Sequence, residues 1–365
     1  MASNPSIGGV APVASAGQEP AAAARIEWID SARGLAILLV VFGHAAGGLI
    51  DAAGPGSMPA LRTLFLAIYT FHMPIFFFLS GLFVERRIEQ GFRDFSGKLL
   101  VMVVFPYFLW SIVQFSAIFA LGSLVNHPAG SYWRTLFGLP LRTVSQFWFL
   151  HALFLINLVA FAAWRFGGRR AVLGIAVLAK LFAMFVPSTP AISLAASNAP
   201  YFALGLLLGW PRVSSLLGRA GIEVRVTVIA SAIAVLAFLS ITADAIQPWI
   251  TIATASSAGI ARVAWIPAML PATLFGGAAL LLVAESLSRR ETLFAPIVRT
   301  LGTMSMPIFL LHVLFIAGAR MLLARMIGVT GVAALPLLVV VGIAGPLLVR
   351  RITDRLGLTR RLALG

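Results

Sequence analysis

The sequence predicts an all-α fold: a polytopic membrane helix bundle of about ten transmembrane helices with both termini cytoplasmic. Three observations predict it. Of 365 residues, 60% are hydrophobic and 11% charged, against about 25% charged in a typical soluble domain, so the chain cannot cover itself with polar surface. Ten stretches are apolar over the roughly 20 residues that a bilayer crossing takes. The basic residues between them are asymmetric: twenty lie on the side holding the N-terminus and six on the other, with Lys180 inside a span. That is the pattern of a cytoplasmic face. A net charge of +15 placed this way points to a membrane and not to nucleic acid. There is no cysteine, which excludes disulfides and thiolate metal sites.

Residues 1–24 are rich in Ala, Gly, Ser and Pro and have neither a basic n-region nor an apolar core. They read as a disordered tail and not as a cleaved signal. The membrane domain runs over 25–350, with spans near 34–50, 65–84, 99–121, 146–164, 171–187, 192–210, 224–243, 263–284, 303–324 and 331–349. Arg62 and Glu85 bracket the second span, and Arg299 and Arg325 the ninth. The fifth and sixth are joined by a short turn around "PSTP", 187–190. Segment 246–262 is semi-polar and reads as a loop or a re-entrant piece. Residues 351–365 read as a basic cytoplasmic tail. "MPIFFFL" (73–79) and "MPIFLLH" (306–312) are alike, but two apolar heptapeptides match by chance.

The first span, "RGLAILLVVFGH", opens on Arg33 and closes on His44, and lipid gives no reason for either. Eleven residues at about 1.5 Å each put His44 about 16 Å deeper, within roughly 20° of the same helix face. Asp30 is placed to hold Arg33 by an i,i+3 pair. Gly34, Gly43, Gly47 and Gly48 leave space for a close neighbour, a helix or a ligand. His72 and His312 reach similar depth on two other spans. Ionisable groups at such depth usually face a bundle interior or a water-filled cavity. His44 reads as functional because Arg33 shares its face. His312 reads equally as functional or as a helix-to-helix hydrogen bonder, and His72 and His151 read first as structurally satisfied. Three histidines also raise a metal site, but no carboxylate lies at their depth. Loop 85–98 is most simply an anchor, and its position beside the Arg33 rim also suits phosphate binding.

"EWIDSARGLAILLVVFGHA" (27–45) resembles the opening helix of the integral-membrane acyltransferase family 3: an acidic residue, Arg-Gly, then a histidine ten intervening residues after the Arg. "FHMPIFFFLSGLFV" (71–84), "FWFLHALFLIN" (147–157) and "MSMPIFLLHVLF" (304–315) are similar to further motifs of that family, in the same order. The resemblance covers roughly 25–350. It implies an O-acyltransferase of the cytoplasmic membrane that moves an acyl group, expected to be acetyl from acetyl-CoA, onto a hydroxyl of a carbohydrate or small-molecule acceptor. His44 would then be catalytic, and Arg33, held by Asp30, a donor-site residue. Relatives often carry two spaced basic residues before the proline of the third helix. Here only Lys98 precedes "VFPYF", which leaves Lys98 and Arg86 as candidates for the donor phosphates.

A long donor threaded from the cytoplasmic rim would run along the glycine-lined face of span 1 and bring its thioester to His44. The imidazole would act as general base or as acyl carrier; the sequence leaves both open. Ser80, His312 and Trp148 are candidate hydrogen-bond donors to the oxyanion or acceptor, and His72 a further substrate-facing group. Trp133, Trp148 and Trp249 are placed to stack on a sugar. The acceptor's identity, the acyl chain and the oligomeric state stay open, and no metal is expected. The competing classes are a proton-coupled transporter or flippase of a glycolipid and a non-catalytic assembly partner. The first would want an acidic residue at mid-depth, and the second has no use for an aligned Arg and His.

Overall fold

The computed structural model describes residues 26–54, 56–122, 125, 130–185, 190–241, 259–290, 292–328 and 330–365. The N-terminal tail, His127, Trp249, most of segment 246–262 and most of the PSTP turn lie outside them. Among the described residues there are helices and no strand. Helix α1 is Glu27–Ala53. The second span is broken into α2, Pro59–Tyr69, and α3, His72–Gly81. Short helices α4, Val84–Glu89, and α5, Phe92–Leu99, lead through a π-helical turn, Leu100–Val104, into α6, Phe105–Leu121. After α7, Tyr132–Gly138, come α8, Trp148–Phe185, α9, Pro190–Arg219, and α10, Ile222–Ile241. The chain closes with α11, Gly259–Arg289, α12, Phe294–Thr303, α13, Ser305–Leu322, and α14, Leu335–Arg355.

Among the described residues, eight helical stretches are long and apolar enough to cross a membrane. One of them, Ser145–Phe185, has 41 residues and breaks at Gly167 and Gly168, the latter at φ +59°. Its halves, 148–166 and 169–185, line one apolar cavity together with α9, so this stretch supplies two spans. Counting also α10, 20 residues and free of charge after Arg225, the described residues supply ten candidate spans. Large apolar side chains such as Phe137, Leu178 and Val340 are exposed on the outside, the surface that lipid covers.

The break in the second span has a local cause. Pro74 has no N–H, so the carbonyl of Thr70, four residues back, loses its helical partner. The Thr273 hydroxyl on α11 donates to that oxygen at 2.8 Å. His72 Nδ1 bonds the Ile68 carbonyl at 2.9 Å. Both carbonyls are thus satisfied inside the bilayer, where an orphan is costly. The π-turn before Pro106 has the same origin, since Pro106 cannot bond Met102.

Close packing places α1 at the centre. A Cβ on Gly34 would lie 1.9 Å from the Val298 carbonyl oxygen, and one on Gly302 1.8 Å from that of Asp30. Helices α1 and α12 therefore touch backbone to backbone. Gly43 makes room for the Tyr69 ring, whose edge lies 2.8 Å from the absent Cβ. Gly47 faces Phe65, and Gly48 borders Arg320. The cytoplasmic half of the glycine face of span 1 is consequently filled by α12 and the Tyr69 ring, while Gly47 and Gly48 border the outer cavity. That filled half is no channel for a donor arm, contrary to the sequence expectation.

On the N-terminal side, buried Glu285 on α11 accepts from Arg225 on α10 at 2.7 Å and pairs with Arg289. The C-terminal segment packs against α6. The Trp110 indole donates to the Leu362 carbonyl at 2.9 Å, and Leu364 is fully buried.

Candidate active site

Helix α1 carries His44 to a contact with α13. His312 Nδ1 lies 2.9 Å from the carbonyl oxygens of both Ile308 and Phe309. A carbonyl only accepts, so this nitrogen is assigned the proton and His312 Nε2 is left as an acceptor. His312 Nε2 sits 3.3 Å from His44 Nδ1, which also lies 3.0 Å from the Val40 carbonyl. His44 Nδ1–H is therefore the donor to both. The His44 lone pair stands on Nε2, on the other side of the ring. The two imidazoles meet edge to face, with centroids 4.8 Å apart.

Two cavities meet at His44. The inner one, about 310 Å³, is lined by His72, Pro74, Gln146, Trp148, Lys180 and Tyr201 among others. The outer one, about 780 Å³, is lined by Asp51, Arg62, Gln114, Thr143 and Arg320 among others. His44 and Tyr69 line both. Beside them the partition is completed by Gln114 and Gln146, whose amides exchange reciprocal hydrogen bonds of 3.0 and 2.8 Å. Ser145, just before Gln146, adopts φ +46°, a left-handed turn that a non-glycine residue enters at some cost. It swings the chain into α8 and aims Gln146 and Trp148 inward. The Trp148 indole N–H and the Tyr69 hydroxyl have no hydrogen-bond partner among the described residues.

A further, narrow cleft of about 60 Å³ lies near the start of α1 and the end of α3. It is lined by Arg33, Ser80, Arg87, Lys98, Leu153 and Asn157 among others. Arg33 makes neither an ion pair nor a hydrogen bond with any described residue. Asp30 acts on it only as a nearby charge, so the expected i,i+3 clasp is not formed. Arg87 stands close enough to feel Arg33. Crowding by protein, and secondarily that like charge, lower its pKa from the usual guanidinium value, yet it stays cationic at neutral pH. Of the neighbouring acids, Glu85 pairs with Arg169 at 2.5 Å and Glu27 with Arg299 at 2.7 Å, Asp30 stays near Arg33 without bonding it, and none of the three lines the cleft. Lys98 donates to Gln90 Oε1 at 2.5 Å. Cations gathered without a carboxylate call for an anionic ligand.

Four sequence expectations change here. Arg86 does not join the cleft; it lies over the Trp210 ring, 5.8 Å from its centroid, and Arg87 takes its place. Neighbours in a helix point about 100° apart, so only packing could choose between them. His312 lines neither cavity, and its Nε2 accepts from His44 Nδ1–H, a contact suited to fixing the His44 tautomer. Ser80 stands in the Arg33 cleft and donates to the Phe76 carbonyl at 2.8 Å, out of reach of an oxyanion beside His44. His72 faces the inner cavity but has Nδ1 committed to Ile68, so it offers an acceptor and no donor. Of the three tryptophans, Trp148 lines a cavity, and Trp133 stacks on Phe137 at the exposed surface. His151 lies 3.0 Å from the Pro140 carbonyl, a structural role. Sequence reading passed over Tyr69, Arg87 and the glutamine pair. Two glutamines inside apolar spans were the available signal. Among the described residues, no group of histidines and carboxylates is placed to hold a metal ion.

The family model described as an acyltransferase domain matches residues 26–351. The chain is also similar to the nodulation protein NolL of Mesorhizobium japonicum, 28% identical over 184 residues, which is 50% of this chain and 47% of that protein. It therefore aligns with about half the length of that relative. No solved structure matches the chain. The family match takes in the Arg33 cleft, both cavities and the His44–His312 contact, and the chain, a multi-pass membrane protein, belongs to the integral-membrane acyltransferase family 3.

Proposed function

We propose that the protein, sited in the cytoplasmic membrane, takes an acyl group from cytoplasmic acyl-CoA and transfers it to a hydroxyl of an extracytoplasmic acceptor. That acceptor is a carbohydrate or a small carbohydrate-like molecule, and acetyl is the simplest acyl group. One observation carries this reading: His44 and Tyr69 line an inner and an outer cavity at once, as suits a single imidazole that serves reactants arriving from opposite sides.

The donor supplies an activated acyl carbon as a thioester on a long phosphorylated carrier. The residues fit such a molecule. Arg33, Arg87 and Lys98 line the cleft, and phosphates rest at its mouth. Trp148, Met73 and Pro74 line the inner cavity, which holds the thioester end. The acceptor enters through the outer cavity. His44 Nε2 takes its hydroxyl proton as the oxygen attacks the acyl carbon. The C–O bond forms, the C–S bond breaks, and His44 returns the proton to the departing thiolate. His312 Nε2 keeps its hydrogen bond from His44 Nδ1–H throughout and holds the tautomer. Trp148 N–H and Tyr69 O–H are the unpartnered donors available to the oxyanion.

Acyl incorporation from labelled acyl-CoA, with acetyl-CoA and a dicarboxylic acyl-CoA run side by side in membranes with matched expression, tests the reading. His44→Ala lowers turnover by about 10²–10⁴-fold, the usual worth of a positioned base. Arg33→Ala chiefly raises the apparent KM for donor. Substantial turnover by His44→Ala removes the proposed base, and loss in Arg33→Ala without any donor effect reassigns Arg33 to folding.

A further inference from the structure

Lys180 is unused by the reaction as written, yet it lines the same inner cavity as His44. It lies eleven residues beyond Arg169 in the second half of α8, about 16 Å into the membrane. Its Nζ makes one hydrogen bond, to the Ser197 carbonyl at 3.0 Å, and lies 5.5 Å from the Tyr201 ring centroid. An ammonium has three N–H donors. No Asp or Glu lines this cavity, and Lys180 has no ion pair among the described residues. A half-buried cation at that depth without a counter-charge is costly and marks a ligand pathway.

The corner around it is polar. The Tyr201 hydroxyl is bonded to Thr273, the threonine that caps the break in the second span at Thr70. Asn198 donates to the Leu194 carbonyl at 2.8 Å, which leaves its Oδ1 to the cavity. For a methyl group this wall is wasted. The acceptor does not explain it either, because Lys180 is absent from the outer cavity.

We propose that Lys180 binds the terminal carboxylate of a dicarboxylic acyl group, of the succinyl or glutaryl kind, carried on the donor. This rests on the acyl-CoA reading above and names its acyl class. The transferred group then forms a half-ester: the acceptor oxygen bonds to the acyl carbon, the C–S bond breaks, the thiol leaves with the proton, and the distal carboxylate stays ionised beside Lys180.

Non-transferable thioether analogues of CoA test it by direct binding to the purified protein in nanodiscs. One analogue of each chain length ends in a carboxylate and its isostere ends in a carboxamide. The carboxylate binds at least about tenfold more tightly to wild type, a difference of about 1.4 kcal/mol. Lys180→Met brings the ratio to about one, and Lys180→Arg retains most of it. Equal affinities in wild type overturn the proposal, as does a ratio that survives in Lys180→Met. CoA itself separates the two readings. If CoA binds and Arg33→Ala weakens it while the carboxylate preference is absent, the donor site stands and the Lys180 subsite falls. If folded protein binds neither CoA nor any analogue, both fall.

Discussion

At the residue scale, the proton positions on two histidines decide the chemistry. Ile308 and Phe309 offer only carbonyl oxygens to His312, and that choice propagates through Nε2 to His44. His312 is thus a positioning residue. His312→Ala lowers kcat by roughly 10–100-fold, in the range of other groups that orient an imidazole, with little change in donor KM. Steady-state kinetics with donor varied check the split; an equal rise in KM would place His312 against substrate after all. With His44 acting as base, intact-mass analysis of protein quenched during turnover shows no acyl adduct. A stable adduct on His44 would make it an acyl carrier. Arg33 and Arg87 illustrate the opposite logic: their lack of partners, not their contacts, marks the proposed donor end.

Among the elements, the broken second span carries most of the design. Pro74 frees the Thr70 carbonyl, Thr273 satisfies it, and the break turns Tyr69 and His72 toward the cavities. Thr273→Val leaves a buried carbonyl unpaired and costs about 1–3 kcal/mol. Adding Pro74→Ala restores an N–H at that position and recovers part of the loss. Unfolding in detergent, run on both single variants and the double, reads the coupling. Strict additivity would mean that the threonine does not serve that carbonyl. The span was legible in the sequence as an apolar run bracketed by Arg62 and Glu85, and its start at Pro59 was not. Hydropathy weighs composition, and Arg62 interrupts it without interrupting the helix.

For the whole molecule, the arrangement is a cation-lined cleft, an inner cavity and an outer cavity, with His44 and Tyr69 at the partition of the two cavities. Its sidedness is testable because the chain has no native cysteine. A membrane-impermeant maleimide added to spheroplasts labels Thr143→Cys, in the outer cavity, and spares Arg87→Cys, at the cleft. Inverted vesicles give the reverse. Labelling of both from one side would mean the partition is open, and an exchanged pattern would invert the bundle in the membrane.

Ten spans, their bias of basic residues toward the N-terminal side and the depth of Arg33 and His44 follow from sequence alone, because hydropathy, charge and helical rise are local properties. What that face of α1 meets was decided by tertiary structure. Its glycines read equally as room for a ligand or for a helix, and α12 and Tyr69 occupy that room at Gly34 and Gly43. Arg87 over Arg86, His312 as partner of His44, and Lys180 at the same cavity all depend on which faces of distant helices are turned together. A single span's pattern holds no record of its neighbour's rotation, so those contacts emerge only when the helices pack.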